Sequence, residues 1–183
     1  MHVESGEPDV LVPLSDGWAA VVGGVMWAVL GTITGYVMHR LPVGRFDHDN
    51  VLTRLRRREA DGRVYERRLA IRRWKRWLPE GGDVFEGGFN KSTLGRRDSS
   101  NLQRFVAETR RAEMTHWITM FYGPLFWLWS SWWMGGVMVA FGVVANVPCL
   151  VTQRYNRARL LRVLGRRDSS TPPSDTPPSD TPL

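Results

Sequence analysis

Two long stretches of the chain carry no charge: Trp18–Met38, 21 residues, and Trp117–Val151, 35 residues, contain no Asp, Glu, Lys or Arg. An apolar run of about 20 residues makes a helix that crosses the hydrocarbon core of a bilayer. The first stretch predicts one such helix. The second is too long for one and fits two, with the break predicted at Met134, Gly135 and Gly136. Trp132 and Trp133 fall beside that break, where an indole's apolar body and N–H edge suit a membrane interface. Between the two stretches basic runs alternate with glycine-rich breaks. Val51–Glu59 and Tyr65–Leu78 are expected to be helical, with a turn at Asp61 and Gly62.

The expected architecture is an all-α integral membrane protein with three transmembrane helices plus a basic, partly helical cytoplasmic segment. Its divisions are an acidic extracytoplasmic N-terminus (1–17), a first transmembrane helix (18–38), and a basic cytoplasmic segment with an interfacial helix (39–115). A transmembrane helical hairpin (116–152), a basic cytoplasmic helix (153–165) and a disordered Pro-rich tail (166–183) follow.

Composition alone hides this, since 43% hydrophobic and 23% charged residues describe an ordinary globular chain. The charges are segregated. The first 38 residues hold Glu4, Glu7, Asp9 and Asp16 and no Lys or Arg, whereas 39–115 hold 19 basic and 11 acidic residues and 152–183 hold 6 and 3. Basic residues concentrate on the cytoplasmic side of membrane proteins, which places this chain in the cell membrane as a multi-pass protein, N-terminus outside and C-terminus cytoplasmic. The first span lacks the basic start, short apolar core and cleavage site of a signal peptide. The single Cys149 excludes a disulfide framework and a zinc site built on several thiolates.

A pI near 10.4 raises nucleic acid as a partner. The basic residues lie beside the spans, however, where attraction to anionic membrane lipids is the simpler account, and no nucleic-acid partner is expected. In the tail TPPSD occurs at Thr171 and again at Thr176, too proline-dense for a packed core. LGRRDSS occurs at Leu94 and Leu164 with no similarity around either copy, so it reads as shared loop chemistry.

Leu69, Ile71, Trp74, Trp77 and Leu78 stand among Arg67, Arg68, Arg72, Arg73, Lys75 and Arg76, the composition of a helix lying on an anionic membrane surface. A charged face packed on its neighbours is the alternative. GGFNKS from Gly87 lacks the glycine that a phosphate-binding loop needs before its lysine. Asp47 and Asp49 are two carboxylates in a loop, more often solvated charges than metal ligands, and no metal or cofactor is expected.

The informative block is ETRRAEMTHW, Glu108–Trp117, where a basic helix enters the apolar region. At 100° per residue Thr109, Glu113 and His116 share one face. Glu113 is expected to accept the ring N–H of His116, fixing the tautomer and leaving the other nitrogen as a base. An interfacial hydrogen-bonding histidine is the competing reading. Folding the hairpin around Gly135 brings His116 level with Gln153 and Arg154, with His39 and Arg40 at the same depth. Asn146 lies within the apolar region and must find a partner there. Pro124 and Pro148 loosen their helices locally, and Gly31 and Gly35 offer a small-residue packing surface.

At these residues the chain resembles the glycosyl-4,4'-diaponeurosporenoate acyltransferase family, small membrane enzymes of carotenoid glycolipid biosynthesis. The resemblance rests on Glu59, Gly62 and Tyr65, on IRRWKRWLPEGG from Ile71, GGFNKS from Gly87, ETRRAEMTHW from Glu108 and NVPCLVTQRYNRARL from Asn146. It implies transfer of a fatty acyl group, from a donor such as acyl-coenzyme A, to a sugar hydroxyl of a glycosylated lipid. The site residues follow from residue chemistry. His116 takes the hydroxyl proton with Glu113 orienting it, and Arg110, Arg111, Arg154 and Arg157 hold an anionic donor group. Asn146 and Gln153 donate to the developing oxyanion or position the sugar. Cys149 as an acyl carrier lacks the positive surroundings that activate a thiol. The alternative function is a non-catalytic membrane scaffold for lipid-synthesis enzymes.

Overall fold

The computed structural model describes residues 14–77 and 99–169, and every regular element among them is helical. Helix α1 spans Asp16–Arg40, with Asp16 in its first turn and His39 and Arg40 in its last, charges that complement the helix dipole. Its buried residues are Ala19, Gly23, Trp27, Thr34 and Met38, one helical stripe. Val21, Val25, Val29, Ile33 and Val37 of the same helix are exposed. Two helices, Asp16–Arg40 and Trp132–Arg166, are long and apolar enough to cross a membrane, and only 22% and 33% of their most apolar windows are buried. A core helix of a soluble protein hides that surface; these expose it, as lipid contact requires.

Helix α4 (Ser99–Phe121) carries the polar approach into the second apolar stretch and stops where Pro124 opens a 3₁₀ segment, Gly123–Leu128. The chain reverses at Trp129–Ser131 and returns as α5, Trp132–Asp168. The reversal thus lies a few residues before the expected break. Gly135 does not make the turn; it sits in the first turns of α5 under the Trp127 ring, whose Nε1–H donates to the Trp132 carbonyl at 2.8 Å. Ser131 Oγ also donates to Asp16 at 2.9 Å, pinning the reversal to the start of α1.

This shift sets the register of the hairpin. Gly123 faces Val139, His116 meets Asn146, and Glu113 meets Arg154 and Arg157. Helix α1 packs alongside through Ala19 and Trp27 against Phe126, Met134 and Met138, with Trp27 stacked on Phe126 at 5.2 Å. Thr34 and Tyr122 share a hydrogen bond of 2.9 Å between α1 and the end of α4. Gly31 lies in ordinary contact with Thr119, while the closest approaches between α1 and α5 are Gly23 of α1 on Met138 and Gly142 of α5 on Trp27.

A methyl at Gly142 would overlap the Trp27 indole, which Phe126 and Phe141 hold from two other sides. Overpacking of this kind destabilises by roughly 1–3 kcal/mol. Gly142→Ala should therefore lower the melting midpoint of the detergent-solubilised protein by several degrees, and Trp27→Phe in the same chain should recover part of the loss. An unchanged midpoint in Gly142→Ala would show that α1 is not held to α5 here.

Between α1 and α4 two expectations change. Val51–Glu59 is a series of turns, because Asn50 Oδ1 takes the Leu52 and Thr53 amides while arginines of α5 take the carbonyls of Leu52, Thr53 and Arg54. With both kinds of backbone group occupied, no helix forms. Tyr65–Leu78 is not one helix. It divides into α2 (Arg63–Leu69), α3 (Ile71–Trp74) and a 3₁₀ turn, Lys75–Trp77, with Ala70 at φ 46° between them. Its apolar residues split accordingly: Tyr65 and Ile71 pack on Tyr155 of α5, while Leu69 and Trp77 are exposed. The residues Leu78, GGFNKS, the first LGRRDSS as far as Asp98, Glu4, Glu7 and Asp9 of the acidic start, and the TPPSD repeats lie outside the described residues.

Candidate active site

Asn50–Gly62 is held against the α4–α5 hairpin by a chain of ion pairs. Glu113 of α4 is fully buried, and its two carboxylate oxygens accept separately from Arg154 and Arg157 of α5, each at 2.6 Å. Arg154 continues to Glu59 at 2.7 Å and to the carbonyls of Leu52 and Arg54. Glu59 accepts further from the Tyr65 hydroxyl and from the Arg56 amide, both at 2.8 Å. Arg157, also fully buried, donates to the Thr53 carbonyl. A short way off, Arg110 pairs with Asp49 at 2.6 Å and donates to the carbonyls of Phe46 and Asp47.

Three carboxylates thus face three guanidiniums, so the ion-pair set is balanced in charge, with Glu113 and Arg157 at its buried centre. Burial by itself raises the Glu59 carboxyl, but the bonds from Arg154, the Arg56 amide and Tyr65 outweigh it and hold the group below the ordinary range. The Tyr65 phenol, buried and donating to that carboxylate, is pushed up to about 12 and stays protonated. Gly62 allows the turn that brings α2 onto α5. It has φ 71°, and a side chain there would press on Arg162, Ala158 and Tyr155.

The expected pairing of Glu113 with His116 is absent among the described residues. Glu113 is drawn instead to the two arginines, with a long contact of 3.4 Å from the Trp117 indole. His116 meets Asn146, Nδ1 to Oδ1 at 3.0 Å, because the earlier reversal slides α5 along α4. The directions of these bonds are decidable. Asn146 Nδ2 donates to the Gly142 carbonyl at 2.8 Å, and a carbonyl only accepts, so the amide oxygen is the face turned to the ring. An oxygen cannot donate; Nδ1 must carry the proton, and Nε2 of the neutral ring holds a lone pair. Among the described residues nothing donates to Nε2, and His116 is only partly buried.

The four arginines expected to hold an anion are otherwise engaged. Arg110, Arg154 and Arg157 bind the ion pairs and carbonyls above, and Arg111 pairs with Glu108 and donates to the His39 carbonyl. A guanidinium has five N–H donors, and Arg154 commits four of them to protein acceptors. Gln153 is half-buried beside Arg154 and makes no hydrogen bond among the described residues; His116 is not level with it. Asp49 belongs to Arg110 and Asp47 lends only its carbonyl, which leaves that pair without a shared metal geometry. Sequence reasoning missed roles for Glu59, Tyr65 and Asn50. The available signal was a single acid, Glu59, directly after Arg56, Arg57 and Arg58.

The arrangement therefore offers an oriented imidazole base one helical turn from a rigid, neutral ion-pair cluster. The profile of the glycosyl-4,4'-diaponeurosporenoate acyltransferase family matches residues 48–166, a stretch that holds Glu59, Tyr65, Glu113, His116, Asn146, Arg154 and Arg157. The chain belongs to the glycosyl-4,4'-diaponeurosporenoate acyltransferase family. It is an acyltransferase. Relatives of that name in Staphylococcus aureus (strain N315) and Staphylococcus haemolyticus (strain JCSC1435) are 26% and 25% identical to it. The first alignment covers 77% of this chain and 87% of the relative, the second 76% and 81%. No solved structure matches. Within the family match, Glu59, Gly62 and Tyr65 now have physical roles as the clamp on α5, and the ETRRAEMTHW run supplies one wall of the site.

Proposed function

We propose that this acyltransferase esterifies a sugar hydroxyl of a glycosylated carotenoid, or a related glycolipid, with a fatty acyl group inside the membrane. His116 Nε2 takes the proton of the sugar hydroxyl as its oxygen attacks the acyl carbonyl carbon of an ester or thioester donor. A new C–O bond forms, the bond from that carbon to the donor's oxygen or sulfur breaks, and the imidazolium returns the proton to the leaving group. Asn146 keeps Nδ1 protonated throughout, the part first assigned to Glu113. Glu113 positions Arg154 and Arg157, and Gln153 faces the substrate side of α5.

The observation that carries this reading is the His116–Asn146 pair, whose bond directions leave Nε2 as a base. Its depth supports a lipid acceptor. Asn146 is 14 residues beyond Trp132, roughly 20 Å along the helix, and Arg154 about 33 Å, against a hydrocarbon core of about 30 Å. With exposed Trp18, Trp132 and Trp133 near one interface and Arg154 near the other, the pair in this reading lies inside the core, nearer its Arg154 side, at a depth that a membrane-borne acceptor reaches. In this topology 18–38 and the two limbs of 116–152 form three spans, 1–17 faces outward, and 39–115, 153–165 and the 166–183 tail are cytoplasmic.

The test is mass spectrometry of lipids from cells supplied with a glycosylated carotenoid, with and without the protein. A species heavier by one fatty acyl ester, present only with the protein, is the expected result. Identical lipid profiles in cells that stably make the protein would reject the reading and favour a membrane scaffold.

A further inference from the structure

With the expected anion-binding arginines engaged in ion pairs, exposed basic groups next to that frame stand at Arg54, Arg56, Arg57 and Arg58. All four side chains are exposed, and none takes part in an ion pair among the described residues. Three of them, Arg54, Arg56 and Arg57, line an open groove of about 420 Å³ with Val51 and Leu55. Its lining thus combines two aliphatic side chains with three guanidiniums. Val51 is 96% exposed.

The backbone that presents these arginines is not a free loop. The Arg54 carbonyl accepts from Arg154 at 2.8 Å, the Arg56 amide donates to Glu59 at 2.8 Å, and the neighbouring Thr53 carbonyl is held by Arg157. Asn50 reaches Met114, two residues from His116, at 3.3 Å. Guanidiniums without an ion pair among the described residues therefore line one groove on a held frame, whose Asn50 touches the helix of the proposed base. Guanidiniums bind phosphate oxygens through paired, charge-assisted hydrogen bonds, whereas a neutral sugar gives them no charge to answer.

We infer that Arg54, Arg56 and Arg57 form the phosphate subsite of the acyl donor, with Val51 and Leu55 against the apolar part of the same molecule. The occupant is a phosphate-bearing acyl ester or thioester, and the inference rests on the acyl-transfer reading for what that occupant does. Two sources have this chemistry, an anionic phospholipid and an acyl-coenzyme A. Arg154 and Arg157 act behind the subsite by holding the carbonyls of Leu52, Thr53 and Arg54.

The experiment measures binding of two probes, dioleoylphosphatidylglycerol and palmitoyl-coenzyme A, to the full chain in neutral detergent without acceptor. Wild type is compared with Arg54→Gln/Arg56→Gln/Arg57→Gln and with Arg67→Gln/Arg68→Gln/Arg73→Gln, an equal loss of charge on α2 and α3. At least one probe should bind wild type, and its affinity should fall about tenfold or more in the groove variant and less than about threefold in the other. Which probe responds identifies the source. The single Arg56→Gln variant, expected to weaken the same probe about threefold, guards against a folding defect in the triple variant. Equal affinities of wild type and groove variant, equal losses in both triple variants, or no binding of either probe to wild type would each overturn the subsite. His116→Ala should bind the responding probe as wild type does. Failure of acyl transfer is thereby separated from failure of this inference.

Discussion

Replacing His116 with Ala is expected to lower kcat for acyl transfer by about 10²- to 10⁴-fold, the range that a positioned general base supplies. The protein should remain folded, since His116 is only partly buried and gives up a single hydrogen bond, to Asn146. Asn146→Leu should be milder. It leaves the base in place and removes only the acceptor that fixes its tautomer, a loss on the order of 1–2 kcal/mol, or about five- to thirtyfold in kcat. The check is turnover by purified full-length variants at saturating acceptor. KM should move little in either variant, because neither change removes a group that holds the substrate in its ground state. If His116→Ala keeps kcat within about threefold of wild type, the histidine is an interfacial hydrogen-bonding residue, and the base must be sought elsewhere.

Sequence patterning located the apolar helices, and it erred by a few residues where those few decide which side chains meet. The uncharged run from Trp117 to Val151 announces a hairpin because no single helix uses 35 apolar residues. Its turn was placed on Gly135 and Gly136 by glycine's usual role. In the structure Gly135 is needed for a different reason, the Trp127 ring lying flat on the helix, and Ser131 makes the reversal by bonding Asp16 of α1. Neither contact has a local signature. Moving the turn moves every pairing across α4 and α5, so Asn146 replaces Gln153 and Arg154 opposite His116. Helical periodicity also made Glu113 and His116 partners, because it registers neighbours on one helix and is blind to stronger partners on another. A buried carboxylate goes to two guanidiniums in preference to one neutral ring. The loop at Val51–Glu59 was read as helix from its composition. It is not one because arginines about a hundred residues later take its carbonyls.

That same buried cluster predicts the largest stability effect in the molecule. Glu113→Gln should destabilise the fold by about 3–5 kcal/mol, since it strips the shared counter-charge from two guanidiniums that hydrocarbon and protein keep from water. A typical domain has only about 5–15 kcal/mol in total, so this loss takes a large share of it and should lower the melting midpoint well below that of wild type. Arg157→Met should cost clearly less. Glu113 then keeps Arg154, and the change also removes Nε and Nη1, which are buried without partners in the native chain. Putting both changes together should recover part of the Glu113→Gln loss, because the uncompensated charge leaves with Arg157, although Arg154 retains only Glu59. Melting midpoints of the four chains in one detergent close the cycle. The order decides between two roles for Glu113. A catalytic carboxylate would lose turnover with its midpoint unchanged, whereas a structural one fails in stability first. Glu113→Gln melting within a degree or two of wild type, or Arg157→Met melting below it, would mean that the cluster does not hold Asn50–Gly62 against the hairpin, and the rigid frame assumed beneath Arg54, Arg56 and Arg57 would fall with it.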